Sequence, residues 1–214
     1  MSQPTATVTP MSPVQPVDMT EELPPSRERD PSLAPVEFRD AVASLQATAL
    51  RPEIRVEPIR PPQRLAPWSH ALAADVRGPD GAELCTGRLV LLYDPDGAEA
   101  WDGVLRLVAF ASAELEPGIA GDPLLPEVGW SWLTGALAER GAAYVAAGGT
   151  VTQTTSTRFG DLHGPRTTVA LELRGSWTAR TTELGPHLLA FADLLCTAAG
   201  VPPEGVTVLK SPLE

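Results

Sequence analysis

Apolar positions recur along this chain with two periods, one helical and one of strand type. From Pro35 to Pro52, Phe38, Val42, Leu45 and Ala49 fall at i, i+4, i+7 and i+11, which predicts a helix. Pro35 suits its first turn and Pro52 cannot continue it. Ile54 and Val56 then alternate with Glu53, Arg55 and Glu57, as in a short strand. Pro58, Pro61, Pro62 and Pro67 stop regular pairing, so an edge strand followed by an extended crossing is expected. His70, Leu72, Ala74 and Val76 share one face of the next strand. The turn Gly78–Gly81 joins it to a third, whose unbroken apolar run Leu89–Tyr93 predicts a central strand covered on both faces. An acidic loop follows, and Leu105, Leu107 and Ala109 then alternate with Val104, Val108 and Phe110. Connections this short require an antiparallel meander.

The second half repeats the alternation of helix and strand. Trp130, Leu133 and Leu137 form a helical stripe that Trp132 widens, with Asp122 as the expected cap, Pro123 at the first helical position and Gly141 at the C-terminal end. Residues i and i+2 differ by about 200° around a helix. One of Trp130 and Trp132 should therefore face the core and the other a loop, ligand or partner. A Thr-rich strand from Ala143 to Thr157 contains Ala147-Gly148-Gly149, which reads as a bulge or a close packing site. Val169, Leu171, Leu173 and Trp177 alternate with polar or small residues and predict one buried and one wet face. Leu184, Leu188, Phe191 and Leu195 define a last helix, with Thr182 as cap, Gly200 just past its end and Pro202 as a stop. The fold class expected is α+β: a twisted antiparallel sheet of five to six strands with three helices packed on it, in the order α-βββ(β)-α-ββ-α.

Composition divides the chain into three parts. Residues 1–34 are rich in Pro, Thr, Ser and Glu and poor in large apolar side chains, which predicts a disordered tail. Residues 35–203 form a single α+β domain, and 204–214 a C-terminal tail. The start of the sequence has neither the basic nor the apolar region of a secretory signal. No apolar run reaches the roughly 18 residues of a membrane span. Cytoplasmic residence is the default, and Cys85 and Cys196 read as separate buried thiols. A net charge of −11 repels phosphate backbones and disfavours DNA and RNA.

Candidate chemistry is sparse. Asp94, Asp96, Glu99 and Asp102 lack the ligand spacing of an EF-hand and read as hairpin turn chemistry. His70, His163 and His187 fall on a strand, a loop and a helix, without metal-ligand spacing. Gly129-Trp130-Ser131-Trp132-Leu133 lacks the closing glycine of a nucleophile elbow, and no phosphate-binding glycine loop occurs. Glu114, Glu116, Asp122 and Glu127 need only the helix dipole to explain them. No catalytic residue, metal site or cofactor is assigned. Five tryptophans remain, and Trp and Arg dominate binding hot spots. Trp101, Trp130, Trp132 and Arg106 are the candidate binding residues.

These readings favour a non-catalytic binding or adaptor protein acting through a protein partner or a homodimer. The alternative is an enzyme holding a small substrate between the sheet and the middle helix. A third reading, an RNA-associated factor, requires Arg51, Arg55, Arg60 and Arg64 to form one basic face.

Four stretches carry a family resemblance: LRPEIRVEPIRPPQRLA from Leu50, GRLVLLYDPDGAEAWDGVLRLVAFASAELEP from Gly87, DPLLPEVGWSWL from Asp122, and LLCTAAGVPP from Leu194. They resemble the actinobacterial proteins grouped as domain of unknown function 3000, over nearly everything from Pro35 to about Pro203. The resemblance implies no activity, cofactor or site residue. The order of elements is also similar to the type III secretion chaperone-like fold, whose members bind partner polypeptides, often as homodimers.

Overall fold

The computed structural model describes residues 33–115, 122–161, 164 and 167–203. The expected tails, apart from Leu33 and Ala34, lie outside the described residues, as does His163. The order is α1 (Val36–Ala47), β1 (Ile54–Ile59), β2 (Trp68–Arg77), β3 (Glu83–Ala98), a 3-10 turn (Glu99–Trp101), β4 (Gly103–Leu115), α2 (Leu125–Glu139), β5 (Tyr144–Thr157), β6 (Thr167–Ala179) and α3 (Gly185–Ala198). The strands form one antiparallel sheet in the order β1-β2-β3-β4-β6-β5. This is the α+β sheet with three helices expected from the pattern.

All three helices contribute to a core on one face of the sheet. Its floor is the alternating set the sequence marks: Leu72, Ala74 and Val76 on β2, Leu89 and Leu91 on β3, Leu105 and Leu107 on β4, Leu173 and Trp177 on β6. Leu133 and Leu137 of α2 and Leu188, Phe191 and Leu195 of α3 close it. Ala34 already packs in this core. A methyl on Gly87 would lie 2.7 Å from both Leu195 Cδ2 and Phe191 Cζ, so glycine lets α3 lie directly on the sheet.

The helix ends differ from expectation at their starts. α2 begins at Leu125, not Pro123, because Asp122 Oδ1 accepts the Leu124 N–H at 2.9 Å in a turn before the helix. α3 begins at Gly185, and Thr182 does not cap it. Ser44 Oγ of α1 instead accepts the N–H groups of Leu184 and Gly185 at 2.9 and 3.0 Å. The C-terminal ends follow expectation. Gly141 and Gly200 take φ of 65° and 67°, and Ala142 and Val201 N–H reach back to Leu137 and Cys196 carbonyls at 2.9 Å.

Two other expectations are corrected. β3 is central but not covered on both faces: Arg88 is exposed and Thr86 and Val90 are half-buried on the face away from the helices. The acidic stretch after Tyr93 is not simply a loop. The strand continues to Ala98, which pairs with Gly103, and the hairpin tip bends until its 3-10 turn touches β5. Asp94 Oδ1 accepts the Asp96 N–H at 3.1 Å, the turn chemistry read from the sequence.

Candidate functional site on the open sheet face

Register places a mixed row across the face that no helix covers. Glu57, Ala73, Arg88, Phe110, Arg174 and Thr150 are successive cross-strand neighbours from β1 to β5. The row beside it runs Ala71, Val90, Val108, Ser176 and Gly148. Together they give an apolar strip of alanines, valines and one phenylalanine, with an arginine on each side of Phe110.

Each arginine is held differently. Arg174 Cζ lies 5.6 Å from the Phe110 ring centroid, and its Nη2 is 3.3 Å from Glu172 Oε2. Guanidinium over a ring face is a favourable arrangement. Arg88 is exposed and makes no ion pair among the described residues. Asp75, on the β2 side of the hollow, is taken by Arg77 at 2.7 Å. A hollow of about 700 Å³ is lined by Glu57, Asp75, Thr86, Arg88, Phe110 and Arg174. Behind its floor, on the opposite face, α3 packs against Gly87.

One end of this face is walled. Arg106 on β4 reaches across β6, where Nη2 donates to Ser176 Oγ at 2.7 Å and Nη1 to Thr178 Oγ1 at 3.1 Å and the Ala146 carbonyl at 2.7 Å. Partial burial pulls its guanidinium below its ordinary value. Thr178 Oγ1 in turn donates to the Trp101 carbonyl, which ties the hairpin tip over the strands. Ser69 Oγ donates to the Pro62 carbonyl at 3.3 Å, which draws the proline-rich crossing onto the same end. Leu92, between Ser69 and Arg106 in register, is only 4% exposed. The apolar run of β3 is thus buried at Leu92 on a face that no helix covers.

The four candidate binding residues divide between the two faces. Arg106 and Trp101 belong to the end wall of the open face. Trp130 lies on the helix-covered face, where its Cζ3 would be 2.7 Å from a methyl on Gly149. Trp132 packs on the buried cluster of Leu115, Leu125 and Leu171. Both indoles of α2 are half-buried against apolar neighbours, so neither is turned away from the core as the 200° separation suggested. The helix lies on a broad sheet, and side chains as long as tryptophan reach it from both flanks. Arg88, Phe110 and Arg174 were missed by sequence reading. For two of them the signal was present: Phe110 on β4 and Arg174 on β6 occupy the alternate positions to the core residues.

The histidines do not converge. His187 of α3 is 1% exposed, and its Nδ1 accepts the Trp177 indole N–H at 3.0 Å. Burial pulls it down to about 4. His70 of β2 is half-buried with Nε2 unpartnered among the described residues, and desolvation lowers it too. Both cysteines are buried and neither is in a disulfide, and burial pushes the Cys85 thiol up to about 12. Among the described residues no three His, Cys, Asp or Glu side chains gather as a metal would need. No described helix is long and apolar enough to cross a membrane. Arg51 turns to Glu53 at 3.2 Å and to the Pro202 carbonyl at 3.0 Å, whereas Arg55 lies beside Glu57 at 3.9 Å.

Residues 34–207 match the family model described as Protein of unknown function (DUF3000). The chain belongs to this family. No curated protein and no solved structure matches it. The DUF3000 match spans the sheet and all three helices, so the open face is part of the family domain. The topological likeness to the type III secretion chaperone-like fold has no matching structure beside it.

Proposed function

We propose that this DUF3000 protein is a non-catalytic binding module that takes a protein partner on the open face of its sheet. The observation that carries this reading is Phe110, a large apolar side chain on a face without a covering layer, set between Arg88 and Arg174 in a hollow of about 700 Å³. Apolar surface that a fold leaves uncovered is a common mark of an interaction site, and aromatic and arginine side chains are the usual anchors. The chemistry suits a segment that offers an apolar side chain to Phe110, Val108 and Ala73, and a carboxylate to Arg88. Trp101 and Arg106 would bound such a segment at the walled end. Two buried cysteines outside any disulfide fit residence in a reducing compartment such as the cytoplasm.

The test uses the full chain with a photo-crosslinking residue at position 110, and the same chain carrying Arg88→Glu and Arg174→Glu. Both arginines are exposed, so the double variant should fold with a stability within about 1 kcal/mol of the parent. The parent should capture a partner through position 110 and the variant should lose it. Equal capture by both chains, or crosslinks only when the residue sits on the helix-covered side, would rule the reading out.

A further inference from the structure

The sheet has two edges, and they are built differently. β1 is six residues long, carries Arg55, Glu57 and Pro58, and runs into a proline-rich crossing. Short length, charge and proline are the devices that keep an edge from pairing. β5 is fourteen residues long and contains no charged residue and no proline. No described residue pairs with its outer side, where every second backbone N–H and C=O group points away from β6.

The bulge confines the usable part. Ala146 has φ 49°, the register to β6 shifts between Val145 and Gly148, and the Ala146 carbonyl is taken by Arg106. From Gly148 to Thr157 the register to β6 is unbroken, Gly148 opposite Ser176 and Thr157 opposite Thr167. A straight edge of that length extends about 34 Å.

We propose that this edge, Gly148–Thr157, pairs antiparallel with the same edge of a second copy of the chain. Three features select a copy rather than a foreign strand. The residues on the open-face side, Thr150, Thr152, Thr154 and Ser156, are hydroxyls that both donate and accept, so the row is complementary to itself. The strand that would form the seam carries no charge, so pairing it with itself sets no like charges against each other. No charged or bulky apolar row is present on this edge to select a different sequence. Antiparallel pairing of like edges places the two-fold axis normal to the sheet. The product is a closed dimer with one continuous sheet, because the guarded β1 edges become its outer limits. Both open faces then lie on the same side and both helix layers on the other.

The test is analytical ultracentrifugation of the full chain over a dilution series, beside a variant carrying Thr152→Lys and Thr154→Lys. Both positions are exposed, and Thr152 lies opposite Glu172, so the lysines are compatible with the monomer fold. Circular dichroism and melting of the variant check this. The parent should sediment as a dimer, and the four lysines at the seam should weaken it on the order of a hundredfold. Hydrogen exchange should show amides between Val151 and Ser156 protected in the parent and released in the variant. A parent that stays monomeric at every concentration overturns the proposal. So does a dimer that the lysines leave intact, protection confined to β1 or the helices, or β5 found occupied by another protein on a monomer.

Discussion

The buried pair Trp177–His187 makes acid lability calculable. His187 Nδ1 accepts the indole N–H at 3.0 Å, with the two residues 1% and 0% exposed. The bond fixes the neutral tautomer that carries its proton on Nε2. A second proton would set one N–H donor against another in a buried site. It would also stand in the first turn of α3, where the helix dipole opposes positive charge. Burial therefore takes the imidazole from an ordinary 6.5 down to about 4. The unfolded chain binds this proton near pH 6.5 and the folded chain only near pH 4. Between those values the unfolded state holds more protons, so stability rises with pH. The contribution is intact above about pH 6.5 and lost as the pH falls toward 4. A gap of about 2.5 pH units at ~1.4 kcal/mol each amounts to about 3 kcal/mol. Urea unfolding followed by tryptophan fluorescence, from neutral pH to pH 4, would be run on the parent and on His187→Gln. The amide can still accept from Trp177 but does not titrate. Carboxylates and His70 titrate in both chains, so the difference between the two stability curves isolates His187. That difference should change by about 3 kcal/mol across the window. A difference flat to within about 0.5 kcal/mol, or an imidazole resonance of His187 titrating near its ordinary value, would refute the reasoning.

Two further outcomes are expected of the core. Trp177→Ala or Phe191→Ala should each cost roughly 3–5 kcal/mol in urea unfolding, since both side chains are enclosed at 0% and 1% exposure; a loss under about 1 kcal/mol would remove either from the core. Ser44→Ala should cost about 1 kcal/mol, because the N–H groups of Leu184 and Gly185 both lose their acceptor. Its effect should show as faster hydrogen exchange at the start of α3, and unchanged exchange there would mean that Ser44 is not the cap.

The helices and strands were legible because their burial is one-sided. Where a strand has a covered and a wet face, as in β6, the period of two is printed in the residues, and Val169, Leu171, Leu173 and Trp177 are all buried as the alternation requires. β3 misled because Leu92 is buried on a face that no helix covers, while Arg88 on the same face is exposed. Local pattern records that Leu92 is covered, not what covers it. The same limit applies to Trp130 and Trp132: a helical wheel gives their angular separation but not the width of the surface the helix lies on. The cap of α3 was out of reach, since Ser44 is far from Leu184 in sequence and is brought there only when α1 and α3 pack.

The candidate site shows the division most clearly. Sequence alone determined that Phe110 and Arg174 alternate with core residues on their own strands, and that β5 carries no charge. Only the tertiary structure decided that register aligns Arg88, Phe110 and Arg174 into one row, that all the helices take the other face, and that β5 ends the sheet. The reason is physical: the face a side chain takes is set by its neighbours along the chain. Which strand lies beside it, and what lies above it, is set by contacts between residues far apart in sequence, whose favourable terms arise only once the whole sheet has formed.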